Sequence, residues 1–153
     1  MATDVKPIPH PYRAATPYLV CRDAARAIEF YRTAFGARER MRLQEPGSGK
    51  IGHAEIEIGE ALVMLSDEYP DHGFMSPLAL GGTPVSIHLY VADVDAIARQ
   101  AIAAGATLER PVADQFYGDR NCALRDPFGH RWMIATRKED VPIDEMQRRY
   151  ARA

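Results

Sequence analysis

Residues 86–91, Ser-Ile-His-Leu-Tyr-Val, set Ser86, His88 and Tyr90 two apart, with Ile87, Leu89 and Val91 between them. Successive side chains of a strand point to opposite faces. A hydroxyl, an imidazole and a phenol therefore share one face, and three aliphatic chains the other. Histidine is the side chain that ordinarily titrates near neutral pH, which makes His88 the candidate base. Residues 53–58 repeat the pattern, with His53, Glu55 and Glu57 alternating with Ala54, Ile56 and Ile58. Two further strands add Leu62, Met64 and Ser66, opposite Val63 and Leu65, and then Arg131, Met133 and Ala135. Such a lining suits a half-apolar organic ligand. The plain alternative is a row of solvent-facing sheet residues.

The stretch QFYGDRNCALRDPFGHRWMI, residues 115–134, holds two aspartates, three arginines and a histidine. Residues 113–120 have no helical period, and Gly118 lets the backbone turn tightly there. Arg120 offers a planar fork for a carboxylate or phosphate, or else bridges Asp114 or Asp119. Asp126-Pro127-Phe128-Gly129 is a turn, with proline suited to its second position and glycine to its last. His130 reads as a support residue.

These strands sit in a repeated frame. Tyr18 to Cys21 reads as a short strand. Asp23 then caps a helix with an apolar face of Ala27, Ile28, Tyr31 and Phe35, and Gly36 ends it. In the second half a strand over 85–91 leads to Asp93, a helix burying Val94, Ile97 and Ala101, and Gly105. Asp23 lies 70 residues from Asp93, while Gly36 lies 69 from Gly105 and Met64 lies 69 from Met133. Each half is thus a strand, a helix and about three strands. On this pattern the chain divides into an arm (1–13), a first module (14–68), a linker (69–84), a second module (85–137) and a tail (138–153). The tail carries a helix near 142–150 with Ile143, Met146 and Tyr150 on one face. Two such modules hide their apolar faces by pairing, which leaves a curved surface.

Composition excludes other classes. The chain has 153 residues and a formal net charge of −2, with 19 basic and 21 acidic residues. That balance offers no electrostatic capture of nucleic acid. No apolar run approaches the length of a membrane-spanning helix, and no signal-peptide pattern is seen. The two cysteines, Cys21 and Cys122, lack a CxxC spacing and read as reduced thiols of a cytoplasmic protein. No glycine-rich phosphate loop follows a strand.

The βαβββ repeat, with FYRTAFGA in one half and DPFGHRW in the other, resembles the vicinal oxygen chelate superfamily of glyoxalase I, bleomycin-resistance proteins and extradiol dioxygenases. GHAEIEIG, ALVMLSDEYP, IHLYVADVD, DQFYGDR and RDPFGHRW are similar to its PhnB-like branch. The resemblance implies an α+β fold in which two βαβββ modules form a cupped mixed sheet with helices on the outer side. It also implies that residues 113–120 connect the second module's helix to its outer strands, with Tyr117 closing over a ligand, and that chains pair into a homodimer. Metal-binding members carry histidine or glutamate at four positions, which fall here on Thr16, Met64, Ser86 and Met133. Two hydroxyls and two thioethers are poor donors for zinc, nickel or iron(II), so no metal or other cofactor is expected at these positions. A shifted site at His53, Glu55 and His88 is the alternative. The expected function is binding of a small organic molecule through Leu62, Met64, Ser86, His88, Tyr90, Tyr117, Arg120, Arg131 and Met133. The competing expectation is a lyase- or isomerase-type enzyme with His88 as base and Arg131 or a shifted metal stabilising charge.

Overall fold

The computed structural model describes residues 5–153. Of the arm read at 1–13, residues 1–4 lie outside the described residues. The first module runs β1 (Tyr18–Cys21), α1 (Ala24–Phe35), β2 (Arg38–Gln44), β3 (Ile51–Ile58) and β4 (Ala61–Asp67). The second runs β5 (Ser86–Tyr90), α3 (Val94–Ala103), β6 (Thr107–Asp114), β7 (Asp119–Arg125) and β8 (Arg131–Arg137). Between them lie a single 3-10 turn at Pro70–His72 and a short helix α2 (Pro77–Leu80); α4 (Ile143–Tyr150) follows the second module. Each module forms its own four-stranded mixed sheet. The orders are β1-β4-β3-β2 and β5-β8-β7-β6, with the first strand parallel to the last and the other neighbours antiparallel. The fold is α+β and built from two βαβββ units, as the repeat implies.

Local chemistry sets the helix ends. The Asp23 carboxylate accepts from the Arg26 amide at 3.1 Å, and Asp93 accepts from Ala96 at 3.0 Å. Gly36 closes α1 in the left-handed region at φ 68°. The second helix stops differently from expectation: Ala104, in right-handed geometry, is its last cap, and Gly105 follows. The end of each sheet's last strand also holds the start of its helix. Asp67 accepts from the Ala24 amide at 2.9 Å, while Thr136, at the equivalent place, accepts from Val94 at 2.8 Å.

One core spans both modules. The sheet faces carrying Leu19, Ile56 and Leu65, and Cys122, Leu124 and Ile134, are buried beneath α1 and α3. Aromatic residues of α1 reach into the second module: Phe35 and Tyr31 pack on Trp132 with ring centroids 4.7 and 5.4 Å away, and Phe30 packs on Phe128 at 6.3 Å. The DPFG turn contributes more than a change of direction. Asp126 accepts from the Tyr31 hydroxyl at 2.6 Å, the Trp132 indole N–H at 3.0 Å, and the amides of Phe128 and His130. His130 also meets the Val20 carbonyl at 2.9 Å.

Alternation along β3 breaks once. Leu43 lies opposite His53, but the next paired residue, Gln44, lies opposite Ile51, so Gly52 is an extra residue in a bulge. The bulge returns Ile51 to the buried face while His53, Glu55 and Glu57 stay on the other.

Two expectations change here. Residues 69–84 are not a plain linker, because Tyr69 and Phe74 bridge a hairpin and α2 follows it. Residues 113–120 are not a connector between helix and strands. They are the end of β6, a turn and the start of β7, with Gln115 bonded to Asp119. Gly118 sits in that turn at φ 99°, where an added Cβ would lie 2.4 Å from the Glu139 carbonyl. Proline in β6 and the bulged pairing of Arg110 hid the strand's period.

Candidate functional site

The helix-free face of the first sheet carries a line of polar groups. The Tyr18 hydroxyl is 3.0 Å from His53 Nδ1, and His53 Nε2 is 3.3 Å from Glu55 Oε1. All three groups are satisfied when Tyr18 donates to Nδ1 and the Nε2 hydrogen is donated to Glu55. Both ring nitrogens of His53 are then engaged. Tyr12, from the arm, lies over the same carboxylate. Its hydroxyl is buried without a hydrogen bond of good geometry, yet it is near enough to Glu55 to interact. Burial, with Glu55 beside it, pushes the Tyr12 phenol up to about 12. The Tyr12 contact, with His53, holds Glu55 below the usual carboxylate range. Met64 lies directly opposite Glu55, and Leu62 opposite Glu57.

On the second sheet, Ser86, His88 and Tyr90 share the helix-free face with Arg131, Met133 and Ala135, their register partners. Here the polar groups are largely committed. Tyr90 donates to Asp119 at 2.5 Å, which raises the phenol's pKa. Arg131 is paired with Glu109 at 3.0 Å, and Arg125 meets the same carboxylate. Tyr117 accepts from Asn121 at 2.5 Å, and Arg110 reaches Asn121 at 3.1 Å. His88 differs. It is exposed, stands 4.8 Å from the Tyr90 ring between centroids, and makes no hydrogen bond or ion pair among the described residues.

Two cavities meet at Tyr18. One, of about 550 Å³, lies along the adjacent first strands of the modules and is lined by Thr16, Tyr18, Ser86, His88 and His130. The other, of about 430 Å³, is walled by Tyr18, Leu43, Ser66, Tyr69 and Phe74. The Tyr69–Phe74 hairpin shapes this second cavity, and Phe74 sets its ring edge against Tyr18 at 5.9 Å. Ser86 and His88 are thus brought together with Thr16. Met64 and Met133 stand beside Tyr18 and His88 in register.

Other expected residues are placed elsewhere. Arg120 lies on the helix side of the second sheet, with its fork on Asp95 of α3 at 2.8 and 3.0 Å and a third bond to Asp114. It is a structural clamp outside the cup, because Arg120 alternates with Asp119 and Asn121 and takes the opposite face. The shifted metal site is not assembled within one chain. Among the described residues, no group of three or more His, Cys, Asp or Glu residues is close enough to hold an ion. His53 and Glu55 instead bond to each other, while His88 stands on the other sheet. With hydroxyls and thioethers at Thr16, Met64, Ser86 and Met133, the residues present do not fit a divalent metal of the usual kind. Tyr12, Tyr18, Tyr69 and Phe74 were not picked out from the sequence. The signal for Tyr18 was there, in its alternation with Leu19 and Cys21.

Residues 12–134 match the family model of the glyoxalase/bleomycin resistance protein/dioxygenase superfamily. The chain belongs to that superfamily. An uncharacterised protein of Mycobacterium bovis is 45% identical over 150 residues, covering 96% of this chain and 94% of its own length. Among solved structures, TioX from Micromonospora sp. ML1 is 28% identical, with a TM-score of 0.62 over 84% of this chain and 99% of its own. A PhnB protein from Bacillus cereus shares the fold at 18% identity, with a TM-score of 0.64 over 81% of this chain and 99% of its own.

Proposed function

We propose that this superfamily member binds a small, partly aromatic organic molecule on the concave surface centred on Tyr18, without a catalytic divalent metal. The observation that carries this reading is the junction of two cavities at one tyrosine, with aromatic and aliphatic walls in one and directing hydroxyl and imidazole groups in the other. Apolar walls supply affinity, and a few fixed polar groups supply orientation. Thr16, Ser86 and the two methionines suit such contacts and not Lewis-acid chemistry. The motif likeness to PhnB-like members fits the same reading, as does a cytoplasmic homodimer in which the exposed faces around Tyr90 and Leu43 are covered.

One observation favours a second reading. His88 carries an unengaged imidazole on the wall of the larger cavity, where a general base for a lyase or isomerase reaction would stand. A ligand screen by native mass spectrometry and calorimetry separates the two. Binding predicts a molecule that is released unchanged and loses affinity in Tyr18→Ala and His88→Ala. Turnover that disappears in His88→Ala while affinity persists would replace it with the enzyme. Elemental analysis near one zinc, nickel or iron per chain would overturn the metal-independent part. Sedimentation showing a monomer at micromolar concentration would overturn the dimer.

A further inference from the structure

The N-terminal arm reaches the helix-free face of the first sheet through Tyr12, whose hydroxyl lies beside Glu55, and is barely attached to it. Among the described residues, no hydrogen bond or ion pair ties residues 5–16 to the rest of the chain. Tyr12 N bonds back to Pro9 O within the arm, and the first tie to the sheet is from the Met64 amide to Pro17 O at 2.9 Å. Residues 11–17 form one wall of a cavity of about 340 Å³ whose other walls include Leu62, Ile87, His88 and Trp132.

Within this arm, Tyr12 is the residue out of place. Its hydroxyl is buried, faces Glu55 and makes no hydrogen bond of good geometry. A buried hydroxyl without a good hydrogen bond weakens the contact that contains it. Glu55 spends one oxygen on His53. A carboxylate has about four acceptor sites, so Glu55 keeps capacity for a well-aligned donor. Met64, opposite Glu55 in the register, gives an adaptable apolar floor.

We propose that the arm is a displaceable cover and that Tyr12 stands in for the ligand: the site takes a planar aromatic molecule bearing an O–H or N–H donor, which replaces Tyr12 against Glu55. This rests on the reading that the concave surface binds a small organic molecule. It adds the chemical class of that molecule and the residue it must displace. The arm's occupancy lowers apparent affinity by the fraction of time the site is covered.

The probe is p-cresol, which matches the tyrosine side chain, with toluene as the molecule lacking the donor. Arm position is read by trypsin cleavage after Arg13, which is exposed; Lys6 is followed by Pro7, which blocks cleavage there. In the native protein p-cresol binds, toluene binds about tenfold more weakly or not at all, and p-cresol speeds cleavage after Arg13 severalfold. Tyr12→Ala is cleaved rapidly without probe and binds p-cresol more tightly, because its competitor is gone. Tyr12→Phe keeps the ring, loses the poorly satisfied hydroxyl and stays protected. Saturation by p-cresol in calorimetry with no change in cleavage overturns the cover. Equal binding of toluene, or no binding of p-cresol to native protein or Tyr12→Ala, overturns the ligand class. In each of those cases another ligand on the Tyr18 cavities leaves the proposed function standing.

Discussion

Asp126 receives four donors, and its removal tests whether the two modules are fastened through it. The residue is 4% exposed, so water does not replace its carboxylate for the buried Tyr31 hydroxyl and the Trp132 indole. Each buried donor left unpaired costs about 1–3 kcal/mol. Two such donors give about 2–6 kcal/mol, and relief of the buried charge brings the expected loss in Asp126→Ala to about 2–4 kcal/mol. The sharper result is a change of sign. Tyr31→Phe removes one bond to an ionised acceptor in the native protein and costs about 1–2 kcal/mol. In the Asp126→Ala background the same change removes an orphaned hydroxyl and restores about 1 kcal/mol. Urea unfolding followed by the fluorescence of the single tryptophan, Trp132, measures all four proteins. An Asp126→Ala protein within about 0.5 kcal/mol of native would refute the reasoning, as would a Tyr31→Phe cost equal in both backgrounds.

Gly118→Ala forces a Cβ to 2.4 Å from the Glu139 carbonyl at φ 99°, and thermal melts will show a loss of about 2 kcal/mol or more. Glu55 is held below its ordinary range chiefly by Tyr12 and then by His53. Its folded pKa is therefore lower than its unfolded one, so its stabilisation is present above the unfolded value and is lost as pH falls through the folded one. A pH series of melts will show a shallower acid limb for Glu55→Gln than for the native protein. Arg120→Ala will lower the melting temperature yet leave the affinity of a concave-face ligand within about twofold, since the residue faces α3 and not the cup. Both cysteines are buried and burial raises both thiols, so neither will react with a disulfide reagent until the protein unfolds.

The frame was legible because it rests on strong local signals. Asp23 and Gly36 mark one helix, Asp93 the start of the other, and period-two patterns place His53, Glu55, Ser86 and His88 on the correct faces. What stayed hidden depends on contacts distant in sequence. Arg120 read as a ligand fork because its partner, Asp95, is 25 residues away on a helix. The turn Asp126-Pro127-Phe128-Gly129 was visible as a turn, but not its bonds to Tyr31 across 95 residues. Tyr12 sits among prolines in a stretch without period, so nothing local tells that it lies beside Glu55. Tyr69 and Phe74 read as linker because their hairpin is a single bridge.

The bulge at Gly52 matters for how such a molecule can change. It separates two phases of one strand. Downstream of it, His53, Glu55 and Glu57 face outward; upstream, Ile51 is back in the core. Strict alternation counted back from Ile58 would have turned Ile51 outward and Gly52 inward. Removing Gly52 would set Ile51 directly before His53 and restore strict alternation, with Ile51 still inward and His53 still outward. At this one point the strand takes up one residue of length without exchanging its faces. The polar face of His53, Glu55 and Glu57 and the core contact of Ile51 are thus insulated from a one-residue change of length between them.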